Sequence, residues 1–180
     1  IIGNLEFDKI ESKEIKSNII INSDIYGIIT VKNKIFSGKI DFNNSNFYNN
    51  VIFENSIFED IAIFTGAHFF GRCAFNNIDF ERRSTFQGIN CEKSVSFYNT
   101  TFEGISRFNN AKFSEGLDFS RCMFKSICQI QDATFSGRIL FYGTYFGKDL
   151  LFDRSDLAED ACFAGARFDG NALFSSIKCE

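Results

Sequence analysis

Phenylalanine returns at every eleventh position along this chain, and that beat decides what the chain can fold into. One series runs from Phe42 through Phe53, Phe64, Phe75, Phe86, Phe97, Phe108, Phe119, Ile130, Phe141, Phe152 and Phe163 to Phe174. A second runs from Phe36 through Phe47, Phe58, Phe69, Phe80, Cys91, Phe102, Phe113, Phe124, Phe135, Phe146, Leu157 and Phe168 to Cys179. They interleave at alternating spacings of five and six. Together they hold 27 positions, 23 of them Phe; of the 25 phenylalanines only Phe7 and Phe70 stand outside the register. A bias this strong marks a repeated structural role.

The residue two before each core position is small or apolar, as at Val51, Ala62, Cys73 and Ser84 in one series and Ser45, Ser56, Ala67 and Ile78 in the other. The residue between is variable and often polar: Asp41, Asn46, His68, Asp79, Arg107. In extended backbone i−2 and i point one way and i−1 the other. Each half-repeat therefore reads as a short strand with one small and one large inward residue. A helix fails the same test, because residues five apart fall roughly 140° apart around it. Gly27, Gly38, Gly71, Gly104, Gly137 and Gly170 each follow a large core residue by two. There the chain must turn a corner, and the reading assigns glycine to supply positive φ.

Small-x-Phe-x-x in tandem resembles the pentapeptide-repeat family, whose usual unit is Ala-(Asp/Asn)-Leu-x-x. Phe stands here at the central position, and alternate units carry a sixth residue. The resemblance covers about residues 36–179, and extends to 20–35 through Ile20, Ile25 and Val31. It implies an all-β fold, a right-handed quadrilateral parallel β-helix. Two 11-residue units then make a coil of 22; three would make a triangular coil of 33, which the 33-residue spacing of five of the glycines suggests. The 22-residue coil is preferred because it puts Cys91, Leu157 and Cys179 on one face. Two of the four corners should be wider turns or bulges. Residues 1–35, where Gly3-Asn4-Leu5-Glu6-Phe7 starts a step and Glu11-Ser12-Lys13-Glu14 breaks it, read as an irregular N-terminal coil or cap on a β-helix over 36–180.

Charge narrows the functions. The 19 Lys+Arg and 23 Asp+Glu leave a net charge of −4, too balanced for a basic nucleic-acid-binding surface and short of the dense acidity of a DNA mimic. No direct nucleic-acid binding is expected. No apolar run is long enough to span a bilayer. The chain opens Ile1-Ile2-Gly3 and stops at Cys179-Glu180 in mid-repeat, so it reads as a piece of something longer. An uncapped end exposes strand edges and invites end-to-end or homodimer stacking.

Candidate sites are few. Cys73, Cys91, Cys122, Cys128 and Cys179 occupy inward positions, where cysteine acts as a small hydrophobe; Cys162 is outward. With one histidine, His68, and no Cys-x-x-Cys, neither a metal nor a cofactor is expected. Core cysteines that stay reduced fit a reducing compartment, which favours the cytoplasm. Glu59, Glu81 and Glu103 follow Phe58, Phe80 and Phe102 and would stack on one face of a 22-residue coil, continued by Lys125. Leu140, Leu151 and Leu173 are outward apolar positions that can mark a contact surface. No nucleophile with a base, phosphate loop or paired-carboxylate motif is present, so an enzyme is not expected. The leading reading is a non-catalytic structural or protein-binding module whose partner the sequence does not name. The alternative comes from the resemblance: some pentapeptide-repeat proteins mimic DNA and bind DNA gyrase.

Overall fold

The computed structural model describes residues 4–179; Gly3 lies outside them. Short strands, most of two residues, follow one another at every half-repeat and pair in parallel only with strands one coil away. The result is a four-sided solenoid of eight coils with four eight-stranded sheets. Face 1 runs from Leu5–Glu6 to Ala161–Cys162, and face 2 from Glu14–Ile15 to Arg167–Phe168. Face 3 runs from Ile19–Ile20 to Ala172–Leu173, and face 4 from Asp24–Ile25 to Lys178–Cys179. From the second coil onward every pairing has an offset of 22, as in Phe58↔Phe80 and Phe69↔Cys91. This settles the 22-residue coil against the triangular alternative.

The strands are this short because the small-x-Phe unit supplies only one outward and two inward residues before the chain must turn. Parallel strands lie ~4.8 Å apart, which is also a comfortable ring-stacking distance. Each Phe therefore rests on its counterpart one coil away. On face 1, Phe53, Phe75 and Phe97 stack with centroids 5.3 and 5.1 Å apart. On face 3, Phe64, Phe86 and Phe108 stack at 5.0 and 5.1 Å. Rings from neighbouring columns meet edge-on, as Phe86 and Phe97 do at 5.0 Å and 80°. The smaller members Cys91, Leu157 and Cys179 all fall on face 4, as the 22-residue coil requires. Burying one Phe contributes roughly 1.5–3 kcal/mol, and the Phe columns from coil 2 to coil 7 are almost completely buried.

The corners correct the glycine reading. None of Gly27, Gly38, Gly71, Gly104, Gly137 and Gly170 has positive φ. For five of them the constraint is space. A Cβ on Gly71 would lie 2.5 Å from the Asn49 carbonyl carbon one coil back, and one on Gly137 2.7 Å from that of Glu115; Gly38, Gly104 and Gly170 meet their neighbours in the same way. These are the six-residue corners, wide bends rather than bulges. Left-handed backbone occurs instead at the five-residue corners, at every eleventh residue from Asn33 to Ser176. Six of those positions are Asn and four are Gly, the residue types that tolerate this conformation best. Several of these corners close with an i→i+3 hydrogen bond, such as Ser45 N to Phe42 O at 3.1 Å.

The first coil departs from the register. Leu5 pairs with Ile29, an offset of 24, because the 3₁₀ turn Phe7–Lys9 is inserted after it. Faces 2 and 3 of this coil are offset by 21, as in Ile15↔Phe36 and Ile20↔Asp41. This one-residue shift overturns the inward assignment of Ile20, which is 65% exposed; Ile19 and Ile21 pack against the core in its place. Phe7, off the register, sets its ring edge-on to Phe36 at 5.9 Å. In the eighth coil Phe168, Phe174 and Cys179 are exposed, since among the described residues no further coil covers them, whereas Leu173 is exposed because it points outward from face 3. The inward reading of Cys179 thus holds for its pairing with Leu157 but not for its burial.

Candidate interaction surfaces

Face 2 carries the acidic column. Phe58, Phe80 and Phe102 pair in register, so Glu59, Glu81 and Glu103 follow one another up the same edge, all exposed. Lys125 continues the column and donates from Nζ to Glu103 Oε1 at 2.6 Å; that bond and the Glu103 charge raise its pKa. At the other end, Ser37 Oγ lies 2.6 Å from Glu59 Oε2 and 2.9 Å from Glu14 Oε1. The hydroxyl has one proton and donates to only one of them at a time. The structure therefore brings the three glutamates together and tempers their charge at one end.

The three leucines separate. Leu151 and Leu173 are register partners on face 3. Leu140 lies on face 1, between Asp118 and Cys162. A step of 11 crosses to the opposite face, while a step of 22 stays in the column. The expected single apolar patch is thus a pair plus one residue across the solenoid.

Face 4 carries a feature that the sequence reading passes over. Tyr26, Tyr48 and Phe70 stack on the outside, with centroids 4.5 and 4.7 Å apart and both ring pairs within 5° of parallel. His68 lies on Phe70 at 3.8 Å, and its Nε2 is 2.9 Å from Glu92 Oε1 and 3.1 Å from Asn90 Nδ2. Partial burial, the Asp24 charge and Tyr26 hold the Tyr48 hydroxyl above its usual pKa. The signal is present in the sequence: Phe70 breaks the inward register, and Tyr48 and Tyr26 precede it by one and two coil lengths.

Face 1 is hollowed. Its outward row reads Ile52, Ala74, Ser96, Asp118, Leu140, and the adjoining corner row Asn50, Arg72, Ser94, Gly116, Arg138. Both rows shrink to small side chains in the middle coils. The result is a groove of about 580 Å³, floored by Ala74 and Ser96, ended by Ile52 and Leu140, and edged by Arg72 and Arg138.

The inward thiols are chemically quiet. Burial raises the pKa of Cys73, Cys91, Cys122 and Cys128, which keeps them protonated and unreactive. Cys122 Sγ donates to Phe97 O at 2.9 Å. Among the described residues no cluster of three or more potential metal ligands occurs, and no helix is long and apolar enough to cross a membrane.

The sequence profile for Pentapeptide repeats (9 copies) matches residues 35–79 and 86–129. The chain belongs to the pentapeptide-repeat family. No curated protein and no solved structure matches it. The matched residues fall within the regular coils, where the pentapeptide unit survives with Phe at its centre and an extra residue at alternate corners. Glu59, Glu103 and most of the face 1 groove lie inside the matched stretches, and Glu81 falls between them.

Proposed function

We propose that this pentapeptide-repeat chain is a non-catalytic structural module that presents fixed columns of side chains to a protein partner. The irregular first coil within the 1–35 segment acts as an N-terminal coil on the solenoid over 36–180, with Ile29–Lys32 and Ile35–Phe36 already in the regular register. The observation that carries this reading is the grid itself. The interior is filled by stacked Phe and small residues, and the outward positions repeat at coil spacing on four faces. Repeat stacks of this kind suit extended binding surfaces. The test is a photo-crosslinking residue at one outward position per face: Ile52, Asp79, Gln129 or Asn90. Reproducible capture of one partner from one face supports the reading. Turnover of a substrate, lost when a surface cluster is changed, overturns it. The exposed inward rings Phe168 and Phe174 favour end-to-end stacking on a second copy, which sedimentation at rising concentration tests.

A second reading rests on the Glu59–Glu81–Glu103 column, whose carboxylates line one edge as charges line a nucleic-acid backbone. Under it the chain binds DNA gyrase, as the family resemblance implies. Gyrase supercoiling at low and physiological salt tests this. Inhibition that disappears when all three glutamates become Gln supports it, and no effect at either salt removes it.

A further inference from the structure

We propose that the groove on face 1 takes an extended peptide of about six residues, small and apolar in its middle, with two carboxylate side chains four residues apart. This rests on the scaffold reading and names the class of partner segment.

Shape comes first. Ile52 and Leu140 stand four coils apart, ~19 Å at the parallel-strand spacing. Extended backbone rises ~3.3 Å per residue, so the groove holds about six residues. Its floor is low because Ala74, Ser96 and Gly116 leave room above the sheet, and a peptide with bulky side chains in its middle would not sit down into it.

Charge sets the second requirement. The two guanidiniums on the groove edge, Arg72 and Arg138, are three coils apart, ~14 Å. Four residues of extended chain cover ~13 Å and bring side chains i and i+4 to the same side. The Arg72 guanidinium makes no ion pair among the described residues, and Arg138 meets only the largely exposed Asp160 at 3.6 Å. Arg72, whose charge also acts on Glu115, and Arg138, whose pair with Asp160 is exposed and therefore weak, can each turn to clamp a peptide carboxylate, for which a planar guanidinium is well shaped. The acids nearby are already engaged. Glu115 accepts from Lys93 Nζ at 3.1 Å and from Ser94 N at 3.0 Å, and Asp118 Oδ1 accepts from Ser120 N at 2.7 Å. The second oxygen of Asp118, in the floor, can accept a peptide N–H.

The experiment is a fluorescence-anisotropy titration of a capped, labelled hexapeptide with carboxylates at positions 1 and 5 and alanine or valine elsewhere. The control peptide carries them at positions 1 and 3. The proposal expects saturable binding that weakens with salt, since exposed charge pairs are screened. Binding should fall about tenfold or more for the control peptide and for Arg72→Gln/Arg138→Gln. Ala74→Phe, at an outward position and checked by its unchanged circular dichroism, should abolish it by filling the floor. No saturable binding, or binding indifferent to the arginines, overturns the proposal. If the peptide fails while crosslinking still captures a partner from another face, the groove assignment falls and the scaffold reading stands.

Discussion

At the scale of the residue, two kinds of inward small position behave differently. After a five-residue corner, a hydroxyl can reach the carbonyl of the core residue that opens the same corner one coil back. Thr100 Oγ1 donates to Phe75 O, Thr144 Oγ1 to Phe119 O and Ser155 Oγ to Ile130 O, at 2.5, 2.7 and 2.9 Å. After a six-residue corner no such acceptor is in reach. Ser84 and Ser106, register partners on face 3, are buried with no partner for their hydroxyls. Removing a satisfied hydroxyl leaves a buried carbonyl short of a donor, whereas removing an unsatisfied one relieves a cost. Thr100→Val should therefore cost ~1–3 kcal/mol, and Ser84→Ala or Ser106→Ala should be neutral or stabilising, in urea titrations. A large loss for Ser84→Ala would mean that its hydroxyl has a partner after all. Glycine divides in the same way. Gly137→Ala drives a Cβ into the Glu115 backbone and should cost ~1–3 kcal/mol, as overpacking does. Gly88, at φ +65° with open space around it, should accept Asn, the residue found at the equivalent Asn77, Asn99 and Asn110. Equal melting temperatures for Gly137→Ala and wild type would refute the steric account.

At the scale of the element, the strand is too short to be stable alone and is held by its ring column. Phe108 stacks on Phe86 and meets Phe97, Phe102 and Phe119, all at centroid distances of 5.0 to 6.1 Å. Phe108→Ala should cost ~3–5 kcal/mol in thermal or urea unfolding; a wild-type melting curve would mean that its ring is not inward. Period and inward pair are legible in the sequence because each Phe and its small neighbour repeat the same two-residue alternation in every unit; the coil length is not, because an 11-residue unit fits coils of 22 and of 33, and only the register pairs decide it. The first coil is not legible, because the 3₁₀ turn after Glu6 and the shortened offsets that follow are insertions and deletions that period counting reads through. Counting therefore puts Ile20 where Ile21 sits. Reading glycine as positive φ misplaces the left-handed corners, while the Asn residues of the 11-residue series, Asn33, Asn44, Asn55, Asn77, Asn99 and Asn110, carry that signal. Of the candidate surfaces, the glutamate column follows from the 22-residue step. Leu140 groups with Leu151 only if one ignores that a half-coil step crosses the solenoid. The groove depends on two adjacent rows being small together, which no single column shows.

At the scale of the whole molecule, stability and display are separated: the inside is a repeated aromatic stack and the outside a grid free to vary. The thiols report on this division. Cys73, Cys91, Cys122 and Cys128 are buried, Cys162 is partly exposed and Cys179 exposed. A native thiol titration should find two reactive groups, with the other four appearing only on unfolding. Four fast thiols would place the inward columns outside. The most direct test of the 22-residue coil is a distance. Asp24 and Asp156 are outward on face 4 and joined by six successive register pairs, hence separated by six coils. With spin labels at these positions and Cys162 and Cys179 replaced by Ser, double electron–electron resonance should give a distribution near ~29 Å, widened by the label arms. A 33-residue coil would put the same pair four whole turns apart, again on one face, at ~19 Å, and a peak near that shorter distance would contradict the account.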